Sequence, residues 1–507
     1  MADVCLILEG TYPYVTGGVS TWTHDLLLAH SELTFHLVTL LPRNNDLKLR
    51  YTIPANVIST TNVVIQNLPE GREISPRQID ALIDSLEQPL SRIQSRGGLE
   101  DLRDLLAVLK PIRNQLGTRN LLNSRAAWKM LTKMYGANFS TSSFLDYFWS
   151  WRALLGGLYS VVLADLPAAR IYHTVSTGYA GLFAARAHAE TGSPALVTEH
   201  GIYTNERRIE IAMANWLHEK SATGLQIDAP QRLLRDLWVD TFIGYSRACY
   251  EACSEIITLY GGNQQFQMQD GAPAEKLRII PNGIEYERYA AIPRDRSARP
   301  PTVALIGRVV PIKDVKTFIR SAALLRATVP DVKALVLGPT DEDPDYYDEC
   351  VKLVRHLGLQ DTVEFRGRVK LEDYLGRIDV VVLTSLSEAQ PLVILEAGAA
   401  GLPAVATDVG ACREMLLGPE GENFAFSPGG AITPLCNPTA TAQELAGLLT
   451  NRDRYRKCSD AIRQRTKRDY NKTVLDRSYK ELYQKYKAVG GHRPPLQCFD
   501  HNCRGGL

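Results

Sequence analysis

Arg308 and Lys313 stand five residues apart in the segment IGRVVPIKD, which follows an apolar run that reads as a strand. On a strand-to-helix loop both cations can converge on one polyanion, the arginine through a forked phosphate contact and the lysine as a mobile point charge. Such a pair also occurs as an ordinary solvated face, but its place after a strand end points to function. Further on, SLSEAQPLVILEAGAAGL carries Glu388 and Glu396 eight residues apart. The helix read there begins around Gln390, Pro391 and Leu392, and its amino end offers free N–H groups and partial positive charge to a diphosphate. Pro391 suits a first helical turn. Glu396, about one turn in, can accept hydrogen bonds from a ribose diol, and Glu388 from a sugar hydroxyl. Read structurally, Glu388 is a cap residue and Glu396 a salt-bridged core edge. An acid inside LVILEAGAAG is costly to bury without a partner, which favours a ligand.

Two segments of the first half face the same problem from the other side. EGTYPYVTGGVS, over residues 9–20, places Gly17 and Gly18 after a strand, where backbone lacking Cβ can approach a ligand and offer amides to an anion. A flexible loop with two turn glycines is the equal alternative. TEHGIYTNERR places His200 and Gly201 at another strand end; a lone histidine is more often structural, yet its neighbours argue for a site. Three further patterns carry less. DEDPD over residues 341–345 has the form of an Asp-x-Asp metal motif, but at a strand-to-helix junction it reads as a cap or solvated turn. HEKSA at His218 lacks the second histidine of a zinc-protease helix, and Cys498, His501 and Cys503 make a poor zinc set on a proline-rich tail. No metal site is expected.

These positions need an α/β scaffold, because ligands of open α/β sheets bind beyond the carboxyl ends of the strands. Short apolar runs over 4–8, 35–41, 57–65, 170–175, 195–198 and 255–259 read as strands. The alternation stops between 70 and 165, where 77–109, 121–135 and 144–163 carry helical spacing and read as an insertion. Phe144, Tyr147, Phe148, Trp149 and Trp151 there read as packing anchors. A proline- and charge-rich boundary covers 289–301. Strands at 302–306, 333–337, 362–365, 379–383 and 404–407 then alternate with helices at 315–328, 345–357, 392–400 and 412–417. The run 452–489 reads as two helices with solvated basic and tyrosine-rich faces. The expected division is a domain over 1–290 with the insertion at about 70–165, a second over 300–470, a terminal helix over 471–489 and a loose tail over 490–507.

Composition bounds the function. The 507 residues carry 57 Lys+Arg against 56 Asp+Glu, a net charge of +1, so no global field favours nucleic acid or an acidic membrane. Hydrophobic residues at 45% and charged residues at 22% exclude a disordered or fibrous chain. Nine scattered cysteines, with no signal peptide read because Asp3 interrupts the start, lead to the expectation of reduced thiols in a cytosol. The most apolar stretch, 153–164, is shorter than the ~20 residues a bilayer span needs. A cytoplasmic protein with no nucleic-acid partner and no direct membrane insertion is expected.

Arg308 and Lys313, the Glu388–Glu396 pair, PNGI at 281–284 and the early Gly17–Gly18 together resemble family 4 retaining glycosyltransferases of the GT-B fold. The resemblance covers nearly the whole chain, most closely residues 280–420. The opening LILEGTYPYVTGGVSTW, the stretch TEHGIYTNER and the insertion resemble a narrower group, the PelF-type transferases of bacterial Pel exopolysaccharide synthesis. The resemblance implies two doubly wound Rossmann-like domains facing a cleft, with the terminal helix crossing back to the first domain. It implies that Arg308 and Lys313 hold the donor diphosphate and stabilise its departure, that Glu396 holds the ribose and Glu388 the donor sugar. The amides of Gln390 to Leu392 and Gly18 would meet phosphates and sugar, His200 the sugar, and Arg368 and Val369 of VEFRGRV the base. Gln390–Pro391 replace the aromatic residue and glycine of many members, which removes one amide donor. The implied reaction transfers a hexose from a UDP-sugar, UDP-glucose favoured, to a growing Pel-type polysaccharide. No cofactor or metal is needed, and recruitment by inner-membrane Pel components is implied. Another UDP-sugar transferase with a different acceptor, or an inactive nucleotide-sugar-binding subunit, stays open. A dinucleotide-dependent oxidoreductase also suits two doubly wound domains, but no Gly-x-Gly-x-x-Gly follows the first strand of either.

Overall fold

The computed structural model describes residues 1–42, 47–212, 233–295, 297–419 and 427–489; His218 and the Cys498–His501–Cys503 set lie outside them. The first domain holds seven strands: β1 (Ala2–Glu9), β2 (Phe35–Leu41), β3 (Val57–Val64), β4 (Ala169–Thr174), β5 (Ala195–Glu199), β6 (Cys253–Thr258) and β7 (Leu277–Ile279). They pair in parallel in the order β3-β2-β1-β4-β5-β6-β7. The second domain repeats the pattern with β8 (Thr302–Ile306), β9 (Lys333–Leu337), β10 (Val363–Gly367), β11 (Val380–Leu383), β12 (Ala404–Thr407) and β13 (Gly430–Thr433), in the order β10-β9-β8-β11-β12-β13.

Strands buried on both faces read as continuous apolar runs, and β1 shows why. Its Cys5 and Ile7 join the core beneath the insertion, whose helices Pro76–Ile93 and Leu99–Leu109 contribute Leu86, Leu90, Leu102 and Leu105. Val4, Leu6 and Leu8 point to the opposite face, which is covered by Leu475, Tyr479, Leu482 and Tyr483 of the terminal helix Lys472–Val489. A helix from the end of the chain thus completes the first domain. Its tyrosine face is therefore not solvated: Tyr479 and Tyr483 are buried. Tyr483 Oη lies 2.7 Å from His173 Nδ1, and Thr198 Oγ1 bridges His173 Nε2 (2.9 Å) and Tyr479 Oη (3.1 Å). Replacing Tyr483 by alanine is expected to cost about 3–5 kcal/mol of first-domain stability, because it opens an aromatic-sized cavity and strands His173. Chemical denaturation followed by tryptophan fluorescence checks this, and a loss under about 1 kcal/mol would contradict the packing role.

The helical spacing over 77–109 is realised as two helices, Pro76–Ile93 and Leu99–Leu109, separated at Arg96 (φ 65°) and the Gly97–Gly98 turn. Other expectations are corrected. Of the five aromatic anchors, Tyr147 and Trp151 are buried, but Trp149 is 59% and Phe144 36% exposed, because they project from the outer side of helix Phe144–Leu163. The second sheet gains β13 and helix Pro438–Thr450, which the alternation did not reveal. The two domains meet at several points. Asn282 N–H donates to Gln390 Oε1 (2.8 Å) and Gln390 Nε2 donates to the Asn282 carbonyl (3.0 Å). Glu414 accepts from the amides of Gly261 and Gly262 (3.1 and 3.2 Å) at the start of helix Gly261–Gln269.

Candidate active site

Both strand orders reverse beside their first strand, between β1 and β4 in one sheet and between β8 and β11 in the other. Loops leaving such switch points form the binding crevice of a doubly wound sheet. Here the loops after β1, β4 and β5 face the loop after β11 across one cavity of about 680 Å³. Asn282 of the linker and Lys472, Asp476 and Tyr479 of the terminal helix also line it.

The first-domain wall is polar and unsatisfied. His200 stands edge-on to Trp22, ring centroids 4.6 Å apart at 74°. Neither ring nitrogen finds a partner among the described residues, and burial pulls its pKa down to about 4, so the imidazole is neutral near pH 7. Thr11 Oγ1, Ser176 Oγ and Asn282 Oδ1, all on cavity-lining residues, are likewise buried without partners among the described residues. Buried polar atoms are normally paired; here four cavity-lining residues carry unpaired ones. Glu9 is different. Its carboxylate accepts from Tyr203 Oη (2.8 Å) and the Ala180 amide (3.1 Å), while burial raises its pKa. Gly18 lines the cavity and, with Gly17, begins helix Gly18–Ala29; a Cβ on either would meet nothing within 4 Å, so open space lies above that helix end.

The second-domain wall carries Glu388, Ala389, Gln390 and Leu392. Gly410 (φ +52°) packs against this loop so closely that a Cβ would lie 2.1 Å from the Glu388 carbonyl. Lys313 forms an ion pair with Glu388, and Ser385 Oγ donates to the same carboxylate oxygen at 2.6 Å. Thr384 Oγ1 donates to the carbonyls of Lys313 and Asp314 (3.0 and 2.9 Å), which fixes the two loops to each other. The segments after β8 and β11 therefore meet, with a cation directly behind the cavity-lining acid.

The remaining expected residues sit elsewhere. Arg308 does not share Lys313's partner; its side chain is 54% exposed and pairs with Glu342 at 2.8 Å. Arg368 is likewise exposed, 3.7 Å from Asp341, so the DEDPD acids hold both arginines while Asp343 caps helix Pro344–His356. Val369 is half-buried and packs against the second-domain core. Glu396 is half-buried with a raised pKa from burial, accepts from Tyr289 Oη at 3.1 Å, and is not among the cavity residues. Pro391 caps helix Leu392–Ala399 and carries no N–H; Gln390 and Leu392 do line the cavity, with the Gln390 side-chain carboxamide committed to Asn282. Trp22, Ser176, Tyr203 and Tyr479 were not singled out from sequence, and Asn282 only as part of PNGI. Glu9 had one usable signal, an acid ending the strand run LILE.

Glu199, beside His200, is sealed beneath the cavity. It accepts from Tyr250 (2.7 Å), Gln267 (2.8 Å) and Thr177 (3.2 Å), and burial pushes its carboxyl up to about 7. A raised folded-state pKa means the stabilisation present below the unfolded value is lost as pH rises through about 7. Glu199→Gln, which cannot titrate, is expected to gain melting temperature relative to wild type as pH rises from about 5 to about 8. A difference independent of pH would remove this charge from the account.

Residues 2–275 match the family described as Domain of unknown function (DUF3492), and residues 300–451 match Glycosyl transferases group 1. The first match covers more than half of the chain. The chain belongs to the DUF3492 family. This DUF3492 protein is also similar to the D-inositol 3-phosphate glycosyltransferase of Nocardia farcinica, 28% identical over 255 residues, which are 47% of this chain and 52% of that one. The MMP alpha-(1->4)-mannosyltransferase of Mycolicibacterium hassiacum is 28% identical over 238 residues, 46% of this chain and 53% of that one. The chain spans about half the length of these curated relatives. Among solved structures, HepE from Anabaena in complex with UDP aligns with a TM-score of 0.57 at 14% identity, covering 95% of this chain and 100% of that one. Sucrose-phosphate synthase from Thermosynechococcus elongatus aligns with a TM-score of 0.56 at 16% identity, covering 96% and 99%. With its two parallel sheets, the DUF3492 protein has the GT-B glycosyltransferase fold.

Proposed function

We propose that the chain is a retaining glycosyltransferase that moves a hexose from a UDP-sugar, with UDP-glucose favoured, to a growing Pel-type exopolysaccharide without a metal ion. The observation that carries the reading is the interdomain cavity, lined by Thr11, Ser176, His200 and Asn282 on one side and by Glu388, the ion-pair partner of Lys313, on the other. Its volume lies within the range of small-ligand sites. The group 1 glycosyltransferase match over residues 300–451 supports the reaction class, and a neighbour solved with UDP-glucose supports the donor. The Pel acceptor, and recruitment to inner-membrane Pel components, rest on the sequence resemblance alone.

In this reading the donor diphosphate enters beside Lys313 and draws Arg308 away from Glu342. The cations then neutralise the leaving UDP, as preorganised charge does at other transfer centres. Glu388, freed from Lys313, accepts from a donor-sugar hydroxyl, and His200 exchanges hydrogen bonds with the sugar from the first domain. Amides of Gly17 and Gly18 meet the phosphates; the resemblance assigns Glu396 to the ribose and Arg368 and Val369 to the base, although none of the three lines the cavity. The bond from the anomeric carbon to the β-phosphate oxygen breaks while the acceptor oxygen bonds on the same face, and the acceptor proton passes to the departing phosphate. The test is UDP release by the full-length protein from a panel of UDP-sugars, with and without EDTA. UDP-glucose turnover unaffected by EDTA is expected. Loss of turnover with chelator would overturn the metal-free assignment, and thermal stabilisation by UDP without turnover of any sugar would identify a binding subunit instead.

A further inference from the structure

Away from the cleft, the insertion helices Arg125–Asn138 and Phe144–Leu163 leave an apolar face uncovered. Leu145, Trp149 and Trp128 are 61%, 59% and 50% exposed. They form one patch. Trp128 lies 5.8 Å from Phe144 and 6.1 Å from Phe148, and Phe148 lies 5.0 Å from Trp149, between ring centroids. Leu145 and Trp149, four residues apart on one helix, share its outer side. From the same helices Trp151, Tyr147, Met130 and Met134 are buried in the first-domain core, so the patch stands on a packed base.

Charge within this stretch of sequence is one-sided, although Glu87 and Asp84 of helix Pro76–Ile93 act on Lys133. Residues 124–152 carry Arg125, Lys129, Lys133 and Arg152 against Asp146 alone, in a chain whose net charge is +1. Arg125 and Lys129 are exposed on the helix that carries Trp128. Arg152 follows Trp149 by three residues and donates to Asn123 at 2.9 Å, while Lys133 is paired with Glu87 at 2.7 Å. Exposed tryptophans combine an apolar body with a polar N–H and partition to membrane–water interfaces. Apolar side chains flanked by cations are the signature of a surface that lies on anionic lipid. A symmetric pairing of two copies through this face would juxtapose its cations, which disfavours a second chain as the occupant.

We propose that this face docks the protein on an anionic lipid bilayer, with Trp128, Phe144, Leu145 and Trp149 in the headgroup boundary and Arg125, Lys129 and Arg152 on the headgroups. No described helix is long and apolar enough to cross a membrane, so the attachment is one-sided and weakens with salt. The test is co-sedimentation of the full-length protein with vesicles of phosphatidylcholine alone and of equimolar phosphatidylcholine and phosphatidylglycerol. Binding confined to the anionic vesicles is expected, falling about tenfold or more in the Trp128→Ser/Trp149→Ser variant. Lys129→Glu, a fully surface change, is expected to weaken binding severalfold with melting temperature unchanged. Equal binding to both vesicles, none to either, or undiminished binding by both variants would overturn the proposal. A tryptophan-dependent dimer in light scattering without lipid binding would overturn it too.

Discussion

Lys313→Ala is expected to lower turnover by about 10²-fold or more at saturating donor, measured as UDP release. Two effects combine. The variant removes the cation nearest the position assigned to the leaving diphosphate, and it leaves Glu388 with a charge no longer neutralised by its ion pair. A carboxylate facing a diphosphate repels it, so donor affinity falls as well as kcat. Adding Glu388→Gln to Lys313→Ala is therefore expected to recover part of the donor affinity but little of kcat, a non-additivity that a double-mutant cycle reads directly. Arg308→Ala is expected to lower kcat similarly, although its guanidinium pairs with Glu342. Near-wild-type turnover in Lys313→Ala would remove the leaving-group assignment.

His200→Ala is expected to reduce kcat/KM by about 10–10²-fold, the cost of losing hydrogen bonds from a desolvated donor and acceptor to the sugar. Its pH behaviour separates this from a general-base role. With its pKa pulled down to about 4 by burial, the imidazole stays neutral from pH 6 upward. The His200 contribution to the rate is then flat between about pH 6 and 9 and declines only as pH falls towards 4. Stability follows the same sign: a depressed histidine pKa contributes stability present above 6.5 and lost as pH falls through about 4. A rate inflection near pH 6.5 that disappears in His200→Ala would contradict the buried, neutral assignment.

Most of the scaffold was legible because parallel strands covered on both faces are written as unbroken apolar runs. The strand at Phe35–Leu41 and that at Thr302–Ile306 coincide with their sequence boundaries. Those missed are weak in the same terms: Leu277–Ile279 has three residues, and Gly430–Thr433 starts on glycine. The exposed Trp149 and Phe144 were misjudged because an aromatic cluster in sequence does not say which side of a helix meets the core.

Short-range pattern was sufficient to place Arg308, Lys313, Glu388 and His200 at the carboxyl ends of strands, since strand period and turn chemistry are local properties. It could not assign their partners. Lys313 meets Glu388 from 75 residues away, and Arg308 meets Glu342 from 34. The terminal helix closes the first core through a His173–Tyr483 contact spanning 310 residues. The chain holds nearly equal numbers of acids and bases, and Coulomb and hydrogen-bond energies depend on separation in space. Only the folded path of the chain therefore selects which carboxylate neutralises which cation and which polar atoms remain open in the cavity.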